Sequence, residues 1–143
     1  MIKRIFFLTI ISFLYACQEK KKPQFDEEAY IKQVEKEKKE VITQVELSPK
    51  IDEEMVKQGE MIFVSKCTLC HQIETKAIGP KLKGVTERRK PEWIMNMMLD
   101  PDRMIKEDSI AKNLTKEYPS PMTNQNLTKE EARALLEYLR TQK

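Results

Sequence analysis

Cys67-Thr68-Leu69-Cys70-His71 is the stretch of this 143-residue chain where reactive side chains stand at a spacing that a specific chemistry demands. Two thiols separated by two residues and followed at once by an imidazole read as a c-type haem attachment site. The thiols must reach two vinyl groups on one edge of a porphyrin. The adjacent imidazole must then lie over the iron. Rival chemistries need more than the chain supplies. A structural zinc site takes four ligands, usually Cys and His, whereas the chain has three Cys and one His. The third Cys, Cys17, lies far upstream. A thioredoxin-like C-x-x-C accompanies a βαβ pattern, and no such pattern occurs here. A structural disulfide between Cys67 and Cys70 is the remaining alternative.

The elements that must position this motif are helical. One helix is expected from about Asp52 to Lys66, with Asp52, Glu53 and Glu54 in its first turn, where the helix dipole favours anions. Met55, Gly59, Ile62 and Phe63 form its apolar stripe, and it delivers the chain directly to Cys67. A second helix starts near Pro91, a residue suited to the first helical position. It runs through Trp93, Ile94, Met97 and Met98 and stops before Pro101, with a short helical turn expected over residues 102–106. The last helix is the clearest. Thr128 and Glu131 form a capping box, and Ala132, Leu135, Leu136 and Leu139 recur at i, i+3, i+4 and i+7. No stretch alternates as a strand would, so the fold class is all-α.

Composition narrows the function classes. Basic and acidic residues number 26 and 23, for a net charge of +3, with both signs mixed along the chain. That balance argues against a strongly basic nucleic-acid binder. Three glycines argue against Gly-rich phosphate loops. Three Cys are too few for a multi-disulfide scaffold. The length fits one domain of ordinary size.

The first residues read as an address, not as part of the fold. Lys3 and Arg4 are followed by the mostly apolar run Ile5–Tyr15, short for a membrane span of ~20 residues. The run meets Leu14-Tyr15-Ala16-Cys17, which resembles the lipobox of bacterial lipoproteins. That resemblance implies cleavage before Cys17 and lipidation of Cys17. Residues 1–16 are thus expected to be a signal peptide, residues 17–50 a lipidated Cys plus charged tether, and residues 51–143 the functional domain. Charged residues of both signs dominate the tether. Tyr30, Val34, Val41 and Val45 fall at helical spacing there, but Glu37 and Lys38 interrupt the stripe, so a solvated spacer is favoured over a coiled coil. The expected location is the cell envelope, on the periplasmic side, lipid-anchored to a membrane.

Residues 51–143 resemble the class I c-type cytochromes. Gly59 and Phe63 match the Gly and aromatic that precede C-x-x-C-H in that family. Gly79-Pro80-Lys81-Leu82 matches its Gly-Pro-x-Leu stretch, and Leu135, Tyr138 and Leu139 match its last helix. The resemblance implies a cytochrome c-like fold of three to four helices around one covalently bound haem c. It implies Cys67 and Cys70 as attachment residues, His71 as proximal ligand, and the Pro80 carbonyl as acceptor of the His71 hydrogen bond. It also implies close packing of the last helix on Gly59, Ile62 and Phe63. In the family the distal Met sits in a loop before the last helix, often beside Pro. Met122, in Tyr118-Pro119-Ser120-Pro121-Met122, fits that place, with Thr123 standing where a Pro is common. Of the eight Met, most fall in helical stretches where Met fills apolar gaps; Met98 is the alternative ligand. Trp93 either hydrogen-bonds a haem propionate, as an aromatic does in some family members, or belongs to the core.

His/Met ligation raises the reduction potential and occupies both axial positions, which implies outer-sphere electron transfer and not an enzyme. The expected function is a membrane-tethered monohaem cytochrome c that carries single electrons between respiratory complexes or to a periplasmic reductase or oxidase. Redox proteins would be its partners, and the chain is expected to be a monomer that binds no nucleic acid. Lys76, Lys81, Lys83, Arg88, Arg89 and Lys90 crowd one segment with only Glu87 against them. They read either as a solvated loop or as a docking patch that steers an acidic partner. Two other classes stay open: a haem sensor or peroxidase-like protein with a labile sixth ligand, and a haem-free lipoprotein.

Overall fold

Carboxylates and a threonine, each placed to cap a helix, set out most of the architecture. The computed structural model describes residues 26–28, 30–32 and 40–143; the apolar leader and Cys17 lie outside them. Asp52 accepts from the N–H groups of Glu54 and Met55, both at 3.0 Å, and so opens α1 (Glu53–Lys66). After the C-x-x-C-H turn come α2 (Val85–Arg88), α3 (Pro91–Leu99), α4 (Pro101–Glu107), α5 (Ser109–Glu117) and α6 (Lys129–Thr141). The side chains of Asp100 and Asp108 cap α4 and α5. Thr128 and Glu131 exchange both bonds of the expected capping box, at 2.9 and 3.2 Å. Among the described residues all regular structure is helical, as expected.

The most extensive contact joins α1 to α6. Gly59 makes it possible: a Cβ there would run into the Ala134 carbonyl and stand 2.8 Å from Cβ of Tyr138. One turn further on, the Phe63 and Tyr138 rings lie 5.4 Å apart. Leu135, Leu136 and Leu139 continue the core toward Ile94, Met95, Met98 and Leu99 of α3.

Two expectations are corrected. The domain has six helices, not three to four. Pro101 and the caps at Asp100 and Asp108 break residues 100–117 into α4 and α5, where only a short turn over 102–106 was expected. The packed unit also begins before residue 51. Ile42 is buried and Val45 and Leu47 pack against the core. The segment has no regular secondary structure over residues 41–48, and Val41 faces solvent. Its backbone is held by side chains distant in sequence: Ile42 exchanges two hydrogen bonds with the Asn96 amide, at 2.9 and 2.8 Å. Residues 41–48 therefore form a strap across the domain.

Glu137 holds the far end of that strap. It is 1% exposed, yet it is fully partnered. It accepts from Asp52 N–H at 3.0 Å, from Arg133 at 2.6 Å and from Arg140 at 2.7 Å. Arg140 also donates to the Ser48 carbonyl at 2.7 Å. Burial works to raise the Glu137 pKa, but the Asp52 N–H and the two guanidiniums outweigh it and hold the carboxyl below its ordinary value.

Candidate haem site

The C-x-x-C-H motif leaves α1 as one more helical turn. Cys67 N–H donates to Phe63 O at 2.9 Å, and His71 N–H donates to Cys67 O at 2.8 Å. Residues three and four apart in such a turn share a face, which brings Cys67 and Cys70 to one wall with His71 beside them. Leu69 between them is 84% exposed. The following stretch folds back on the motif. Gly79 N–H donates to Cys70 O at 2.8 Å, and the N–H groups of Leu82 and Lys83 donate to Gln72 O and Ile73 O at 3.0 and 2.9 Å.

This return fixes the imidazole. His71 Nδ1 lies 2.9 Å from the Pro80 carbonyl oxygen. A carbonyl only accepts, so Nδ1 carries the proton and the Nε2 lone pair is left for a metal. Gly79 lets the ring lie against the backbone: a Cβ there would stand 2.6 Å from His71 Cε1. The sequence points to Pro80; the steric reason for Gly79 emerges only from the packing.

Both thiols are free, and with His71 they line a cavity of about 600 Å³. Its walls are largely apolar: Phe63 from α1, Leu82 and Val85, Trp93, Ile94 and Met98 from α3, Leu114 from α5, and Leu135 and Leu139 from α6. The loop before α6 closes it with Pro121 and Met122. That loop is tied at its end. Asn126 takes a left-handed conformation, φ 54°, with its N–H bonded to the Asn124 side chain at 2.8 Å, and Leu127 is buried. Met97 and Met98 reach the same cavity from α3, so three thioethers face it. Burial pushes the Cys67 thiol up to about 11; before attachment it is a neutral thiol.

These residues fit a haem c. The cavity is large and apolar as a porphyrin requires, two thiols stand on one wall, and an imidazole is already oriented with its outer nitrogen free. The donor set suits no bare metal ion: among the described residues no three His, Cys, Asp or Glu side chains gather at one point.

Trp93 lines the cavity, but its indole N–H donates to Asp108 Oδ1 at 3.0 Å, not toward the cavity. The Arg89 guanidinium lies 5.3 Å over its ring. Burial works to raise the Asp108 pKa, yet the N–H groups of Ala111, Trp93 and Ile110 and the Arg89 charge hold it below its ordinary value. In the sequence Asp108 is legible only as a helix cap, three residues before Ala111 and six before Leu114. The basic segment borders the cavity through Lys81, Arg88 and Arg89, and it is less bare than its sequence suggests. Lys83 pairs with Glu74 at 3.1 Å and Lys76 lies 3.7 Å from Glu117.

Known proteins place this geometry. The family model for cytochrome c matches residues 56–143. Among solved structures, the chain is similar to cytochrome c from Rhodothermus marinus, with 46% identity and a TM-score of 0.69 over 70% of this chain and 86% of that one. An engineered form of that protein matches at 45% identity and a TM-score of 0.68, covering 70% and 87% of the two chains. Another, bound to a carbene intermediate, matches at 45% and 0.66 with the same coverage. Comparison with curated proteins gives no match. The chain belongs to the cytochrome c family, as a class I c-type cytochrome that carries one covalently bound haem c.

Proposed function

We propose that this electron-transfer protein is a membrane-tethered carrier that moves single electrons between respiratory complexes or to a periplasmic reductase or oxidase, with His71 and Met122 as the side chains that would hold the haem iron. One observation carries the ligand assignment: His71 and Met122 come from separate loops to line the same apolar cavity, and His71 has already committed Nδ1 to Pro80. The haem supplies a one-electron Fe(II)/Fe(III) couple. The chain supplies everything else. Cys67 and Cys70 would hold the haem through their thiols, and Pro80 keeps the imidazole in one tautomer and orientation. The apolar walls keep water out, and the Met122 thioether raises the potential. Met98 is already buried in the core packing of α3, whereas Met122 reaches the cavity from a loop, which favours Met122.

Tethering rests on the sequence of residues 1–17: a basic start, an apolar run and a lipobox-like Leu14-Tyr15-Ala16-Cys17. Among the described residues no helix is long and apolar enough to cross a membrane. Lys81, Arg88 and Arg89 at the cavity border support a docking segment over residues 76–90 for an acidic redox partner.

Met122→Ala tests the assignment. The variant should keep covalent haem while its potential falls by at least ~59 mV, a tenfold change in the oxidised-to-reduced ratio. An unchanged potential and spectrum would remove Met122 as a ligand. Rapid carbon monoxide binding to the reduced parent would instead favour a haem sensor or peroxidase-like protein with a labile sixth ligand.

A further inference from the structure

Helix α3 is held from both sides. Trp93, Ile94, Met97 and Met98 line the haem cavity. Glu92 and Asn96, one turn apart on another face, are bonded to the strap: Val45 N–H donates to Glu92 Oε1 at 3.1 Å, and the Asn96 amide exchanges two bonds with Ile42. In that exchange a side-chain amide does what a neighbouring strand would do. Both residues are buried, Ile42 at 6% exposure and Asn96 at 7%, so neither bond competes with bulk water. Arg103 Nη2 also donates to Asn96 Oδ1 at 3.2 Å, which fixes the amide's rotamer. The other end of the strap is fastened by Arg140 and Glu137 to α6, a second wall of the cavity.

We infer that residues 41–48 act as a strap that sets how tightly α3 closes on the haem, and that Asn96 is the positioning residue through which it acts. A looser α3 admits water to the cavity. Water and exposure stabilise the more highly charged oxidised iron site, so the potential falls; protein burial around a metal centre tunes potential in this way. The segment that leads to the expected anchor is thereby mechanically joined to the redox centre. The inference rests on the haem-carrier reading only because haem provides the readout.

The test uses the full holoprotein and three variants built from two uncharged substitutions. Asn96→Leu removes both bonds to Ile42 at similar volume. Ile42→Ala weakens the strap's apolar seat, keeps the backbone bonds and is the milder change should Asn96→Leu fail to mature. The third variant combines them. Asn96→Leu should raise the oxidised-to-reduced ratio at fixed potential at least threefold, where 59 mV is tenfold for one electron. Ile42→Ala should shift it in the same direction by less. The double variant should fall short of the product of the two effects, because coupled residues are not additive. Amide exchange should quicken in α3. If melting temperature drops while the potential stays that of the parent in both single variants, the strap is merely structural and the inference fails. It also fails if the two effects multiply independently. A parent without c-type haem bands would overturn the carrier reading instead.

Discussion

Helices α1 and α6 meet atom to atom, whereas the stretch from His71 to Leu127 folds around a space. In the first region a glycine, two aromatic rings and a leucine stripe pack directly against one another. In the second, three short helices, α2, α3 and α5, of four to nine residues face a cavity of about 600 Å³. Isolated helices below ~12–15 residues are marginal in water, so α2–α5 depend on what they pack against. Helix α3 already buries Ile94, Met95, Met98 and Leu99 against the protein, and α3 and α5 also present residues to the cavity that the haem would fill. One half of the domain is thus completed by its own sequence, the other by its cofactor.

The largest expected effect comes from removing the cofactor's attachment. In Cys67→Ser/Cys70→Ser, amides of α3 and α5 should lose most of their exchange protection while the slowest amides remain in α1 and α6. Equal loss in both regions would break the comparison. Gly59→Ala attacks the other half. Alanine favours an isolated helix by up to ~1 kcal/mol, but here its Cβ meets the Ala134 carbonyl. Overpacking of this kind should cost about 3 kcal/mol in denaturant titration; stabilisation would contradict the observed approach.

Glu137→Gln should follow, at about 2 kcal/mol, since it weakens charge-assisted bonds to two arginines. Its pH signature has a definite sign. The folded carboxyl is held below its ordinary value of 4.5. Its contribution is therefore full above that pH and lost as pH falls through the folded pKa. Parent and variant should converge in stability under acid and diverge above about pH 5. Thr128→Ala should be the smallest change, about 1 kcal/mol from the lost cap. Measured by thermal melting, it should leave the haem spectrum untouched.

The same division explains what the sequence made legible. Helix α1, the Pro91 start of α3 and α6 with its capping box announce themselves through caps and periodicity, which are local. The C-x-x-C-H turn and the Gly79-Pro80 return are equally local, and His71 Nδ1 lies 2.9 Å from the Pro80 carbonyl oxygen. The strap was not legible. Ile42 is held by Asn96, 54 residues away, and no periodicity in a charged segment announces such a contact. Helix α5 was missed because Ile110, Ala111 and Leu114 make too short a stripe, although Asp108 caps it. The role weighed for Trp93 turned on Asp108 as well, since only the folded chain brings that carboxylate to the indole N–H.

The most direct measurement is an absorption spectrum of the exported protein, oxidised and then reduced. Sharp low-spin c-type bands on reduction, with a weak near-infrared sulfur-to-iron band on oxidation, are predicted for His71/Met122 ligation. A high-spin spectrum would contradict the Met122 ligand, and a spectrum without haem bands would contradict the account as a whole.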